Sequence, residues 1–255
     1  MSSYIGITPL ALFVVNNGSG TIGEYTTSGA TVNASLISGM NASPMFLAAS
    51  GTDLYVLNGG SFLSGGSAGS IGKYTTLGAT VNVSLISGLS GPLGVAVAGT
   101  SLYVASGSSI GEFTLSGAIV NTSFISGLSS PTGIAVSGSN LFVVNNGSGT
   151  IGEYDAITGA TVNASLISGL SSPFGIAVSG SNLFVTNFNG GASGAGTVGE
   201  YTTSGVTVNT TLVTGLTTPF GIAVVAAVPE ASTYAVLAGV GALGMAMLCR
   251  RPRMR

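Results

Sequence analysis

The chain is 255 residues long and 45% hydrophobic, but only 5% charged, against roughly 25% in an ordinary soluble domain. Glycine (42 residues), serine, threonine and asparagine fill the deficit, giving a neutral, hydroxyl-rich surface with no footprint for a phosphate backbone, so nucleic acid is not expected as a partner. There is no His and no Trp, and Cys249 is the single cysteine, which excludes an in-chain disulfide and removes the usual general base and the commonest metal ligand.

Met1–Ala11 has no basic n-region and runs straight into an apolar strand, so it does not read as a secretory signal. An exported chain needs one, and a truncated start, with one or more repeats missing, is left open. From residue 12 onward one block recurs five times. Its first strand is Leu12-Phe13-Val14-Val15, with copies starting at Leu54, Leu102, Leu141 and Leu183, spaced by 42, 48, 39 and 42 residues. A Gly/Ser/Asn loop follows, then a short strand of pattern [IV]-G-[EK]-[YF] at Ile22–Tyr25, Ile71–Tyr74, Ile110–Phe113, Ile151–Tyr154 and Val198–Tyr201. The third strand resembles Thr31–Ile37. The fourth follows a proline, as in Pro92–Val97, with relatives at Pro131, Pro173 and Pro219 and a degenerate copy at Pro44.

Each strand is short, rich in β-branched and aromatic residues and bounded by turn formers. Four strands per repeat of about 42 residues is the arithmetic of a β-propeller blade. Residues 1–227 are therefore expected to form an all-β propeller of about five four-stranded blades; a β-solenoid is the alternative. Length varies mainly in the loop between the first and second strands, longest at Gly59–Ser70 and Phe188–Thr197, so these insertions should project from one rim. Pro219–Val224 is a spare innermost strand, expected to complete the first blade.

The pattern P-x-G-[IV]-A-V followed by L-[FY]-V resembles NHL-repeat and related six-bladed propellers over roughly residues 12–225. The resemblance implies that the Gly-Ile-Ala-Val strand is innermost and the Leu-Tyr-Val strand lies beside it. Related lactonases place Glu, Asn and Asp on inner strands around a metal, and antibiotic-cleaving lyases of similar fold depend on His; the inner strands here supply neither.

The repeated acids Glu24, Glu112, Glu153 and Glu200, interrupted by Lys73, form the best candidate constellation, a carboxylate ring for a cation. They lie on second strands, away from the axis, and the preferred reading is one solvated charge per blade that discourages edge pairing. The loops Asn16–Thr21 and Asn145–Thr150 lack the alternating carboxylates of a calcium loop and read as tight turns. Asn33, Asn82, Asn121, Asn163 and Asn209 sit in Asn-x-Ser/Thr triplets, copies of one strand position rather than signs of glycosylation. No catalytic, cofactor or metal residue is assigned, and a serine without His or a usable Lys has no evident activation.

Residues 228–255 differ in character. Thr233–Cys249 holds 17 residues without a charge, about 26 Å as a helix and close to the hydrocarbon thickness of a bilayer. Arg250, Arg251, Arg253 and Arg255 follow, the flank expected on the cytoplasmic side. A buried core helix ending in solvated arginines is the bland alternative. The order Val228-Pro229-Glu230, Ser232-Thr233-Tyr234, apolar span and arginine cluster resembles the PEP-CTERM sorting signal of exported Gram-negative proteins. That resemblance implies processing by an exosortase, with Ala231 standing where a second proline is usual. The expectation is an exported propeller, anchored in membrane lipid at the bacterial envelope or released to the surface or matrix. Its role is expected to be non-enzymatic, with polysaccharide or envelope proteins as partners; a lactonase-like hydrolase or lyase is the alternative.

Overall fold

The computed structural model describes residues 11–26, 30–40, 44–59, 68–191, 194–217 and 219–222, all within one compact unit spanning Met1–Ala223. The sorting motif Val228-Pro229-Glu230, the expected helix 233–249 and its arginine flank lie outside the described residues. Among the described residues no helix is long and apolar enough to cross a membrane.

The chain forms a five-bladed, all-β propeller. Blade one is β1 (Ala11–Asn16), β2 (Thr21–Thr26) and β3 (Thr31–Ile37). Blade two is β4 (Pro44–Ser50), β5 (Asp53–Asn58), β6 (Ala68–Thr75) and β7 (Thr80–Ser90). Blade three is β8 (Pro92–Ala98), β9 (Ser101–Ser106), β10 (Ser109–Thr114) and β11 (Ile119–Ile125). Blade four is β12 (Pro131–Ser137), β13 (Asn140–Asn145), β14 (Thr150–Asp155) and β15 (Thr161–Ile167). Blade five is β16 (Pro173–Ser179), β17 (Asn182–Asn187), β18 (Gly196–Thr202) and β19 (Thr207–Leu216). Each blade is an antiparallel meander in chain order, and the inner strands β4, β8, β12 and β16 pack in succession.

The continuous apolar runs of β5, β9, β13 and β17 follow from being sandwiched. Side chains alternate across a strand, so Leu141 and Val143 pack toward blade three while Phe142 and Val144 pack toward blade five. A core cluster of this kind fills each of the four consecutive blade junctions. The inner-strand glycine lets neighbouring blades close on the axis. A Cβ on Gly133 would lie 2.7 Å from the Phe174 carbonyl oxygen and 3.0 Å from the Ile176 nitrogen, too near for any other residue. Beside it the Thr132 hydroxyl donates to the same Phe174 carbonyl at 2.8 Å.

Among the described residues blade one has three strands where four are expected. Among the described residues nothing pairs with the free edge of β1, and Val14 is 42% exposed where its counterparts Val56, Val104, Val143 and Val185 are fully buried. The described part of the spare segment, Pro219–Ile222, has no strand assignment. It follows blade five all the same, because the Phe220 carbonyl accepts the Thr186 hydroxyl at 3.2 Å and crowds Gly175.

Candidate functional site

The repeated acids are not brought together. Among the described residues no group of three or more His, Cys, Asp or Glu side chains converges on a metal-sized site. Instead the acids of blades three to five are each tied to their own blade. Ser101 donates to Glu112 at 2.7 Å, Asn140 to Glu153 at 2.7 Å and Asn182 to Glu200 at 2.8 Å, always from the start of the adjacent strand. In blade two the same pair has exchanged charge: Lys73 meets Asp53 at 2.8 Å. The reading of one solvated charge per blade is corrected for blade four, where Glu153 is buried, while Glu112 and Glu200 stay partly exposed and Lys73 is a complemented member of the set. Glu153 is only 9% exposed, and burial pushes its carboxyl above the usual range. Hydrogen bonding to Asp53 raises the Lys73 ammonium despite some desolvation.

The glycine of the I-G-E-Y motif also has a physical cause. The aromatic ring two residues on folds back over it: a Cβ on Gly152 would stand 2.6 Å from the Tyr154 hydroxyl. That hydroxyl bonds the Asn145 carboxamide, as Tyr74 bonds Asn58, and burial pushes both phenols above their usual range despite this bond. The same two positions hold tyrosine and asparagine in blades one, two, four and five, whereas blade three replaces both, with Phe113 and Ser106. Loss of the hydroxyl goes with loss of the buried amide that needed it.

The Asn-Asn-Gly loops are blade clamps. Asn17 donates to the Pro44 carbonyl at 2.9 Å and Asn146 to the Pro173 carbonyl at 2.8 Å, each reaching the inner strand of the next blade. Gly20 and Gly149 turn these loops at φ of 63° and 66°.

Two surface features remain. Between blades three and four, an open depression of about 460 Å³ is lined by Ser101, Tyr103, Glu112, Ser139 and Ile157 among others. Its carboxylate, Glu112, is the one held by Ser101. On the opposite rim, at the proline ends of the inner strands, four phenylalanines gather from blade two, blade five and the segment after it. Phe174 stacks on Phe188 at 5.0 Å between centroids and on Phe46 at 5.9 Å. Phe220 meets Phe174 and Phe188 edge-on at 5.0 and 4.8 Å. Phe174 is fully buried while Phe220 is 44% exposed. The paired residues Asn187 and Thr197 bury a carboxamide oxygen and a hydroxyl that have no hydrogen-bond partner among the described residues, as do the Asn58 and Asn145 carboxamide oxygens in blades two and four. Sequence reasoning found no aromatic surface because these rings are scattered over 174 positions and none is a Trp. Phe46 carried the only local signal, standing where the other inner strands have glycine.

No protein-family model matches the chain, and no curated protein sequence matches it. Solved structures do. A chain in the crystal structure of a nidogen/laminin complex superposes with TM-score 0.67 at 18% identity, covering 85% of this chain and 81% of that one. Virginiamycin B lyase from Staphylococcus aureus gives 0.58 at 20% identity, covering 83% and 70%. A gluconolactonase from Xanthomonas campestris gives 0.61 at 16% identity, covering 83% and 75%. At such identities the likeness is one of fold, and the fold alone is shared by binding proteins and enzymes.

Proposed function

We propose that this is an exported, non-enzymatic binding or structural propeller of the bacterial envelope, held in the membrane by the tail 228–255 or released from it by an exosortase-type protease. Its partners are polysaccharide or other envelope proteins. The observation that carries the reading is how the polar residues are used. The carboxylates of blades three to five hold their own hairpins, whereas one rim gathers Phe46, Phe174, Phe188 and Phe220 beside the long loop after β17. Aromatic faces with neutral amides and hydroxyls around them suit the apolar faces and hydroxyls of a neutral sugar. The tail supports the address through its uncharged span and arginine flank.

A hydrolase or lyase reading has its best foothold at the depression beside Glu112. One experiment separates the two: a glycan array with the full chain, run beside a metal-supplemented esterase, lactonase and lyase screen. Glycan binding without turnover supports the proposal. Metal-dependent turnover lost in Glu112→Gln or Glu153→Gln overturns it.

A further inference from the structure

The outermost strand of every blade poses a problem that the fold has solved. Strands β3, β7, β11, β15 and β19 are sheet edges and contain neither a charge nor a proline. They expose β-branched residues: Val32, Val81, Val120, Val162 and Val208 are each more than half exposed. Thr31–Ile37 and Thr161–Ile167 have the same sequence, TVNASLI. An uncharged, valine-bearing edge is a template for another strand, and five alike on one molecule are self-complementary without like-charge repulsion.

Every outer strand carries the same interruption. The residue after the first threonine or isoleucine is bulged, as where Tyr154 pairs with Thr161 but Glu153 with Asn163, leaving Val162 unopposed; the other four blades repeat this shift. The asparagine that follows turns its carboxamide oxygen onto the backbone N–H two residues on. Asn33, Asn82, Asn121 and Asn209 do so at 3.0 Å to Ser35, Ser84, Ser123 and Thr211, and Asn163 at 3.1 Å to Ser165. The bond closes the bulged stretch within its own strand, satisfying a donor that the register shift leaves without a partner on the neighbouring strand, and the bulge bends the edge away from a straight partner.

We infer that the repeated asparagine is a guard: it keeps the outer edges from pairing with a second copy of this chain, the task that charged residues perform on most sheet edges. This inference is independent of the ligand at the phenylalanine rim. One opened edge of seven to eleven residues covers far less than the roughly 800 Å² per partner of a stable interface. Association of unguarded chains therefore proceeds through several edges at once, giving polymers rather than dimers.

The test compares the full chain in detergent micelles with a variant carrying Asn33→Val, Asn82→Val, Asn121→Val, Asn163→Val and Asn209→Val. Sedimentation velocity should show one species for the parent at all concentrations and growing polymers for the variant. Adding Val32→Lys, Val81→Lys, Val120→Lys, Val162→Lys and Val208→Lys to the variant should restore the single species, because charge then replaces the guard. Polymerisation that lysine does not reverse, or a folded variant that stays dispersed, overturns the inference. If the fivefold variant does not fold, Asn163→Val alone decides. The Ser165 amide should exchange about tenfold faster, the loss of one modest hydrogen bond, and slow concentration-dependent association should appear; unchanged exchange and a dispersed chain overturn the inference equally.

Discussion

Replacing Glu153 by Gln distinguishes a structural carboxylate from a catalytic one. Asn140 donates to Glu153 at 2.7 Å across the β13–β14 hairpin, and the carboxyl is nearly buried. Gln keeps an acceptor oxygen in the same place, so the bond changes from charge-assisted to neutral, a loss of about 1 kcal/mol. Removing a desolvated charge offsets a similar amount, and the net change should stay within about 0.5 kcal/mol. Glu153→Ala leaves the Asn140 amide without its acceptor and should cost about 1–3 kcal/mol, or roughly 2–10 °C in Tm for a domain of this size. The pH dependence has a definite sign. Burial raises the folded-state value of Glu153, so its contribution is fully present below the unfolded carboxyl value and lost as pH rises through the folded one. The stability of Glu153→Gln relative to the parent should thus be greatest near neutrality and decline toward pH 4. Thermal melts of parent, Gln and Ala variants at several pH values measure this. A Gln variant as unstable as the Ala variant, or a Gln advantage that grows on acidification, would refute the reasoning.

Three further outcomes follow from the packing. Gly133→Ala forces a methyl against the Phe174 carbonyl and should destabilise by about 1–3 kcal/mol in chemical denaturation. Tyr154→Phe and Asn145→Ser should each cost about 1–2 kcal/mol alone, and their combination less than the sum, because blade three already pairs Phe113 with Ser106; a double-mutant cycle reads the coupling. Burial raises the hydroxyls of Tyr74, Tyr154 and Tyr201, so their contribution is complete below the ordinary phenol value of about 10 and lost as pH rises through the folded values. An alkaline titration followed by tyrosinate absorbance and circular dichroism should show delayed ionisation coupled to unfolding.

The propeller was legible because its strands repeat: the Leu-Phe-Val run, the Ile-Gly-Glu-Tyr strand and the proline-led inner strand each fall where the blades need them. The side-chain pairings were legible only in part. Aligning the repeats sets Asp53 against Ser101, Asn140 and Asn182, and Lys73 against the glutamates, which is enough to suggest the charge exchange. Nothing local distinguishes an Asn-x-Ser triplet from an asparagine closing a bulge, since the difference lies in register. The phenylalanine rim was invisible for a different reason. Its rings come from blades two and five and from Phe220, and only the packing of successive inner strands about one axis brings them within stacking distance. That blade one has three strands among the described residues is a statement about pairing, which composition does not encode.

The most direct measurement is the affinity of the full chain for a neutral envelope polysaccharide, by calorimetry, for the parent and for Phe220→Ala. Phe220 is 44% exposed at the rim and meets Phe174 and Phe188 edge-on, so its loss should cost about 1 kcal/mol of stability, leave the chain folded, and weaken binding about tenfold, the loss of one good stacking contact of about 1.4 kcal/mol. No polysaccharide binding by the parent, or equal binding by both chains, would contradict the account.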